Sequence, residues 1–225
     1  MSPDIPRAAQ TVFGERYPLA ERYAALLASS GVDRGLIGPR EGDRLWERHL
    51  LNSAVLAELV PQGCHVLDVG SGAGLPGIPL ALARPDLSIV LLEPMARRVA
   101  WLREVVAALG LSVGVHRGRA EDPLVRDELG SNDVVTARAV APLGRLVSWS
   151  LPLVAPGGRL LAIKGAGAEE EASRDVVAVQ AAGGAAVEIV HCGANIVHPP
   201  TTVIVVRRLA QRVPRSAKAR RRKDR

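Results

Sequence analysis

Three glycines alternate with other residues directly after a short apolar run, and an acid precedes them. The run over 65–69 predicts a buried strand, and Gly70, Gly72 and Gly74 follow it two residues apart. Glycine adopts positive φ values without steric cost, so such a loop can turn tightly and let a ligand approach its backbone. Asp68 lies at the mouth of the strand. This pattern indicates a loop that binds a nucleotide-containing cofactor.

A second apolar run, over 88–92, ends in Glu93. This acid follows the loop by roughly 20 residues, the spacing at which the neighbouring strand of a nucleotide-binding fold presents a carboxylate. Such a carboxylate can accept hydrogen bonds from ribose hydroxyls. We therefore expect Glu93 to hold the ribose of the cofactor.

The glycines fit two cofactor patterns. The frame 72–77 matches the dinucleotide pattern G-x-G-x-x-G, but it starts beyond the end of the strand. The frame that starts at Asp68 resembles the first motif of methyltransferases that use S-adenosyl-L-methionine (SAM). Pro76 favours SAM, because a proline removes an N–H donor where a pyrophosphate would use one. NAD stays open as an alternative, and so does a glycine-rich turn without a ligand.

Length and composition are typical of a compact intracellular protein. The chain has 225 residues, of which 48% are hydrophobic, enough for one domain with small additions. Two cysteines suggest reduced thiols. The start, Met1–Asp4, lacks a signal pattern, and no apolar run approaches the roughly 20 residues that cross a bilayer. We expect a cytoplasmic monomer with no membrane segment and no metal.

The net charge of +6 is unevenly distributed. Residues 207–225 contain ten of the 29 Lys and Arg and one of the 23 Asp and Glu, so this tail carries +9 and the remaining body −3. A basic run with few apolar residues predicts a disordered arm that can contact RNA phosphates. A solvated tail without a function is the alternative, and the sequence leaves both open.

Strands and helices alternate after a helical preface. Helical spacing over about 7–29 and 40–60 precedes seven predicted strands near 66–69, 88–92, 112–116, 133–137, 159–163, 186–190 and 202–207, with helices near 76–84, 97–109, 142–153 and 168–182. Alternation predicts an α/β Rossmann-like fold with a mostly parallel seven-stranded sheet. The last two strands should form an antiparallel hairpin at one edge. The expected domains are a helical N-terminal extension at 1–60, a SAM-binding methyltransferase domain at 61–209 and a basic tail at 210–225.

Five segments together resemble the RsmG family, also called GidB, and its actinobacterial members in particular. They are Arg48–Ser53, Asp68–Leu80, Arg119–Glu121, Ala137–Ala139 and Ile163–Gly165. The resemblance implies a SAM-dependent methyltransferase that modifies N7 of one guanine in the decoding-region loop of 16S ribosomal RNA. Its partner would be 16S rRNA or the small ribosomal subunit.

The resemblance also implies which residues bind the cofactor. Gly70, Gly72 and Leu75 of the loop would contact SAM, together with Glu93 on the ribose. Ala120 and Glu121, after the third strand, match the family's contact to the adenine edge. Glu121 can alternatively be an acid at a helix start, because Glu121-Asp122-Pro123 is also a typical helix N-terminus.

Absent motifs narrow the chemistry. The fourth strand ends in Thr136–Val140, without the Asn/Asp-Pro-Pro-aromatic motif of enzymes that methylate exocyclic amines. Neither cysteine is placed for attack on a pyrimidine ring. A ring nitrogen such as N7 of guanine has a free lone pair, so its methylation needs alignment more than a base. Arg138 is the predicted catalytic residue and a further cofactor contact, and Arg119 and Lys164 are candidates to hold the RNA.

Three functions from different classes therefore remain. The ribosomal RNA guanine-N7 methyltransferase is favoured. An NAD-dependent oxidoreductase and a noncatalytic RNA-binding protein with a methyltransferase fold are the alternatives.

Overall fold

The computed structural model describes residues 4–38 and 41–210, and its centre is a seven-stranded sheet of order β3-β2-β1-β4-β5-β7-β6. The strands are β1 (His65–Val69), β2 (Ser88–Glu93), β3 (Val113–Arg117), β4 (Asn132–Arg138), β5 (Val154–Lys164), β6 (Gly184–Cys192) and β7 (Thr201–Arg208). The first five strands are parallel to one another, and β7 runs antiparallel to both β5 and β6. This confirms the Rossmann-like sheet and the antiparallel hairpin at one edge.

Parallel pairing brings the carboxyl ends of four strands to the same edge of the sheet. Val69, Glu93, Arg138 and Lys164 end β1, β2, β4 and β5 there. The central strands are buried on both faces, which their unbroken apolar runs allow. Ligands bind at this edge in open α/β sheets, so the fold places the predicted site residues where a site is expected.

Helices cover both faces of the sheet. They are α1 (Ile5–Phe13), α2 (Tyr17–Leu26), α3 (Asn52–Ala54), α4 (Gly77–Ala83), α5 (Ala96–Leu109), α6 (Pro123–Leu129), α7 (Leu143–Ser150), α8 (Ala168–Arg174) and α9 (Val176–Ala181). Short 3₁₀ turns (Gly14–Arg16, Gly42–Arg44, Val55–Leu59 and Leu151–Leu153) and two π-helical turns (Leu27–Gly31 and Trp46–Leu51) connect or extend them. No helix within residues 4–38 and 41–210 is both long and apolar enough to cross a bilayer.

The helical extension shares a core with the sheet. Val66 of β1 packs in one apolar cluster with Tyr23 and Leu50 of the extension, whereas Leu67 packs in a second cluster on the opposite face, with Leu146 of α7. Successive strand residues point to opposite faces, which is why one strand serves both clusters. The extension is thereby fixed against the face that carries α4 and α5.

Several boundaries differ from the sequence-based expectations. The predicted helix over 7–29 is interrupted at Gly14, which caps α1 at φ +51°. The predicted helix over 168–182 is two helices that meet at Asp175, and β5 begins at Val154, five residues earlier than expected. The short helix α6 is not among the predicted helices, although Glu121-Asp122-Pro123 indicated its start; its seven residues bury only Val125. Apart from Ala210, the predicted basic tail lies outside the described residues.

Candidate cofactor and RNA site

The glycine loop between β1 and α4 is held by its own backbone and by two side chains from distant helices. Gly70 N–H donates to the carbonyl of Leu92 (2.8 Å), so the loop starts fixed to the end of β2. The carbonyl of Ala73 accepts from Tyr23 Oη (3.1 Å) and from Trp101 Nε1 (2.9 Å). Both rings are buried. A buried hydroxyl or indole N–H needs an acceptor, and here both needs are met by one loop carbonyl.

The three alternating glycines have different surroundings. All have positive φ, at +70°, +57° and +110° for Gly70, Gly72 and Gly74. A Cβ on Gly70 would lie 2.8 Å from Val140, and one on Gly74 would lie 2.4 Å from Ile78. A Cβ on Gly72 would meet only the carbonyl of Gly70, at 3.8 Å. The space above Gly72 is therefore an open cradle, which is the fit that a cofactor requires.

Asp68 supports the loop from below. Its carboxylate accepts from Thr136 Oγ1 (2.9 Å) and from the N–H of Gly77 (3.2 Å), the first residue of α4. Its position opposite Thr136 in the parallel register of β1 and β4 makes the first bond possible. Complete burial raises the pKa of Asp68 to about 7, and the bonds from Thr136, Ser71 and Gly77 oppose this rise. Asp68 is therefore a structural acid beneath the loop.

The start of α4 has no free donor for a pyrophosphate. Gly77 N–H is bonded to Asp68, Ile78 N–H donates to the carbonyl of Gly74 (2.8 Å), and Pro76 and Pro79 have no N–H. A dinucleotide loop uses these donors for the diphosphate. The local geometry therefore favours SAM over NAD.

Glu93 lies at the end of β2, as predicted, and its carboxylate is part of the loop's support. Oε2 accepts from Gly72 N–H (3.0 Å) and Oε1 from Met95 N–H (3.0 Å). The residue is buried, and Arg98 lies 3.9 Å away. Each carboxylate oxygen has a second lone pair, which a ribose hydroxyl could use. The ribose contact stays a prediction.

The residues after β3 are placed beside the same edge. Ala120 is buried and Glu121 is exposed. Asp122, not Glu121, caps α6, because its side chain accepts from Leu124 N–H (3.0 Å). Glu121 Oε1 lies 3.8 Å from Arg119 Nη1, and its contact with adenine stays a prediction. The Arg119 side chain is 70% exposed, which suits a contact with RNA.

Arg138 ends β4 and reaches into the helical extension. Its guanidinium donates to Ser53 Oγ (2.9 Å), to the carbonyls of Arg48 (2.8 Å) and His49 (3.3 Å), and to His49 Nδ1 (2.9 Å). Burial lowers its pKa, although the group remains charged. Arg138, the predicted catalytic residue, therefore joins the end of β4 to the helical extension, a contact that the sequence did not indicate.

Lys164 ends β5 and is also engaged. Its Nζ lies 2.8 Å from Glu171 Oε2 and donates to the carbonyl of Ala141 (2.9 Å). Glu171 in turn accepts from Leu143 N–H (2.7 Å). These contacts hold the loop between β4 and α7, and the predicted contact of Lys164 with RNA stays a prediction.

A cavity of about 980 Å³ lies beyond the ends of β4 and β5. Arg138 and Lys164 form part of its wall, Arg48 and Asn52 line it from the extension, and Pro200 lines it from the β6–β7 connection. Asn52 Nδ2 donates to Thr201 Oγ1 (2.7 Å), which joins these two walls.

The loop after β4 separates this cavity from the glycine loop. Ala139 lines the cavity, and the next residue, Val140, packs on Gly70. The glycine loop and a cavity of suitable size for a nucleotide therefore lie on either side of the loop after β4.

Comparison with known proteins identifies the family. The sequence model for GidB, described as rRNA small subunit methyltransferase G, matches residues 16–199. A relative from Mycobacterium marinum, named ribosomal RNA small subunit methyltransferase G, is 56% identical over 214 residues, which cover 95% of this chain and 94% of the relative. A relative of the same name from Salinispora arenicola is 57% identical over 227 residues, which cover 97% and 93%.

Solved structures support the fold. The SAM-dependent methyltransferase SibL in its apo form superposes with a TM-score of 0.58 at 20% identity, covering 83% of this chain and 62% of SibL. Aeropyrum pernix fibrillarin with natively bound SAM gives a TM-score of 0.54 at 20% identity, covering 71% and 75%. With the sequence matches, which confirm the resemblance drawn from its motifs, the chain belongs to the GidB family, rRNA small subunit methyltransferase G.

Proposed function

We propose that this chain transfers the methyl group of SAM to N7 of a guanine in 16S ribosomal RNA. The observation that carries the proposal is the adjacency of the glycine loop and the cavity beside Arg138, which lie on either side of the loop after β4 at the carboxyl edge of the sheet. Family membership supports the substrate class. The proposed setting is the cytoplasm, where ribosomal subunits are assembled.

The residues of the loop would hold the cofactor. SAM supplies a methyl group on a positively charged sulfur. Gly70, Gly72 and Leu75 would provide the backbone cradle, and the spare lone pairs of Glu93 would accept hydrogen bonds from the ribose. Ala120 and Glu121 would supply the adenine contact. Because Glu93 already accepts from Gly72 N–H, one carboxylate would position both the ribose and the loop.

The rest of the site needs only to orient the base. The N7 lone pair of guanine is not protonated at neutral pH, so no general base has to remove a proton before attack. Accordingly, no site residue is assigned a proton-transfer role. The cavity would exclude water and fix the angle of approach, and Arg119 would hold a phosphate near its mouth. Arg138 and Lys164 keep the walls of the cavity in place.

Two measurements test this proposal. Calorimetry should detect binding of SAM and none of NAD. Incubation with methyl-labelled SAM and either naked 16S rRNA or isolated small subunits should give label in one of them, and the pair also shows which form is the substrate. SAM binding without methyl transfer to either form would favour the noncatalytic RNA-binding alternative. Binding of NAD in place of SAM would favour the oxidoreductase.

A further inference from the structure

The acceptors around Arg138 differ in one chemical property. Three are oxygens, on Ser53 and on the backbone carbonyls of Arg48 and His49. They accept hydrogen bonds at any pH at which the protein is folded. The fourth is Nδ1 of the His49 ring, 2.9 Å from the guanidinium. An imidazole nitrogen accepts only while it is unprotonated, so this bond alone depends on a proton.

The surroundings of His49 fix where its proton is. A guanidinium can only donate, so Nδ1 must be the acceptor and the proton of the neutral ring must be on Nε2. Nε2 lies 2.8 Å from Glu41 Oε2, which accepts that proton's hydrogen bond. Glu41 therefore holds the proton of His49 on Nε2, and this leaves Nδ1 of His49 free of a proton to accept from Arg138.

Charged groups face His49 from three elements. Arg138 approaches from β4, Glu41 from the turn before residues 42–44, and Arg48 from the helical turn of His49 itself. Burial and the two arginines lower the pKa of His49, and Glu41 opposes them. The neutral ring is thus the state that the fold favours at neutral pH.

We propose that His49 is a positioning residue for methyl transfer. Its unprotonated Nδ1 holds Arg138 in the wall of the cavity beyond the ends of β4 and β5. The inference rests on the proposed function, because Arg138 matters to transfer only if the cavity holds the RNA base. Protonation would place an N–H and a second positive charge against the guanidinium. Arg138 would then lose this contact, and the cavity wall would lose its shape at acid pH.

Two replacements of His49 separate positioning from simple packing. In His49→Asn the side-chain oxygen is attached at the same distance along the chain as Nδ1, so it can accept from Arg138 without titrating. In His49→Leu the volume is kept but the acceptor is lost. We expect His49→Leu to lower kcat/KM for RNA more than tenfold at pH 8, and His49→Asn to be at least fivefold more active than His49→Leu.

The pH profile is the second readout. The wild-type protein should lose kcat/KM towards acid pH with an apparent pKa below the ordinary histidine value of 6.5. That acid limb should be absent in His49→Asn. Equal losses in both variants, or an acid limb that persists in His49→Asn, would overturn the proposal. If His49→Leu does not fold, the profile of His49→Asn still decides.

A spectroscopic measurement distinguishes a failure of this inference from a failure of the proposed function. Nitrogen-15 chemical shifts of the His49 ring should show the Nε2–H tautomer at neutral pH and a titration below 6.5, whether or not RNA is methylated. A ring protonated on Nδ1, or one that titrates at or above 6.5, would refute the positioning role. Wild-type protein that has the expected tautomer but methylates no small-subunit RNA would refute the proposed function alone.

Discussion

Replacing Asp68 by asparagine should make the protein's stability less dependent on pH. In the wild-type protein, burial raises the pKa of Asp68 from 3.8 to about 7. A carboxyl whose pKa is higher in the folded than in the unfolded protein stabilises the folded state when it is protonated. Its contribution is complete below the unfolded pKa and is lost as the pH rises through about 7. Asparagine imitates the protonated form at every pH.

The size of the effect follows from the shift. At 1.36 kcal/mol per pKa unit, the full contribution is about 4 kcal/mol, of which about 2–3 kcal/mol is lost between roughly pH 5 and pH 8. The asparagine oxygen can accept from Gly77 N–H, and its amide can donate to Thr136 Oγ1, whose hydroxyl is free to turn. Both hydrogen bonds of Asp68 are thereby replaced.

Urea unfolding of both proteins at several pH values measures this difference. The unfolding free energy of Asp68→Asn minus that of the wild-type protein should increase by about 2–3 kcal/mol from pH 5 to pH 8. Asp127→Asn, at an exposed position on α6, is the matched control. A difference that stays constant or decreases with pH would refute the assignment of Asp68 as a buried acid with a raised pKa.

Three further predictions concern the cofactor loop and the tail. Gly72→Ala should abolish SAM binding measured by calorimetry, whereas Gly110→Ala, at a similar φ of +62° in open space, should leave binding intact. Both variants should lose about 1–2 kcal/mol of stability. Equal SAM affinities of the two variants would contradict the cradle. Tyr23→Phe should lower unfolding stability by about 1 kcal/mol and SAM affinity several-fold, because only Trp101 then holds the carbonyl of Ala73; an unchanged affinity would show that the tyrosine does not position the loop. Deleting residues 214–225 should leave SAM affinity unchanged but weaken RNA binding. The slope of the logarithm of the RNA-binding constant against the logarithm of salt concentration should become shallower by about 0.7 to 0.9 units for each lost phosphate contact. Identical slopes for the two proteins would support the solvated tail.

The cofactor loop could be predicted because its constraints are local. A strand that ends in glycines of positive φ leaves few alternatives, and the acid on the next strand follows from parallel pairing. The same reasoning found Glu93 at the correct edge of the sheet. It did not find that this carboxylate already accepts two backbone N–H groups, because Gly72 reaches Glu93 only after the chain folds and the bond from Met95 depends on the turn after β2.

The internal partners of Arg138 and Lys164 could not be predicted for a related reason. Arg138 bonds to residues of the extension that lie about 90 positions earlier in the chain, and Lys164 bonds to a glutamate of α8. A strand-end cation is equally compatible with a ligand or with an internal partner, and these partners come together only in the folded protein. Arg138→Ala should therefore lower the unfolding stability of the protein more than the removal of an exposed arginine would. The catalytic role of Arg138 and the RNA contact of Lys164 stay predictions.

The small elements were missed because their stability comes from tertiary contacts. Helix α6 has seven residues, and α8 and α9 are separated at Asp175, whose carboxylate accepts from Gly144 N–H (2.8 Å) in another helix. Helices of this length are marginal alone, so neither periodicity nor propensity fixes their ends.

The most direct test is to locate the methyl group. RNA of the small subunit should be isolated from a strain that lacks this gene and from the same strain with the gene restored, and 7-methylguanine mapped in both. One 7-methylguanine should disappear with the gene and return with it, and a Gly72→Ala copy should fail to restore it. An unchanged set of modified guanines, or a lost methyl group on another atom or base, would contradict the proposed function.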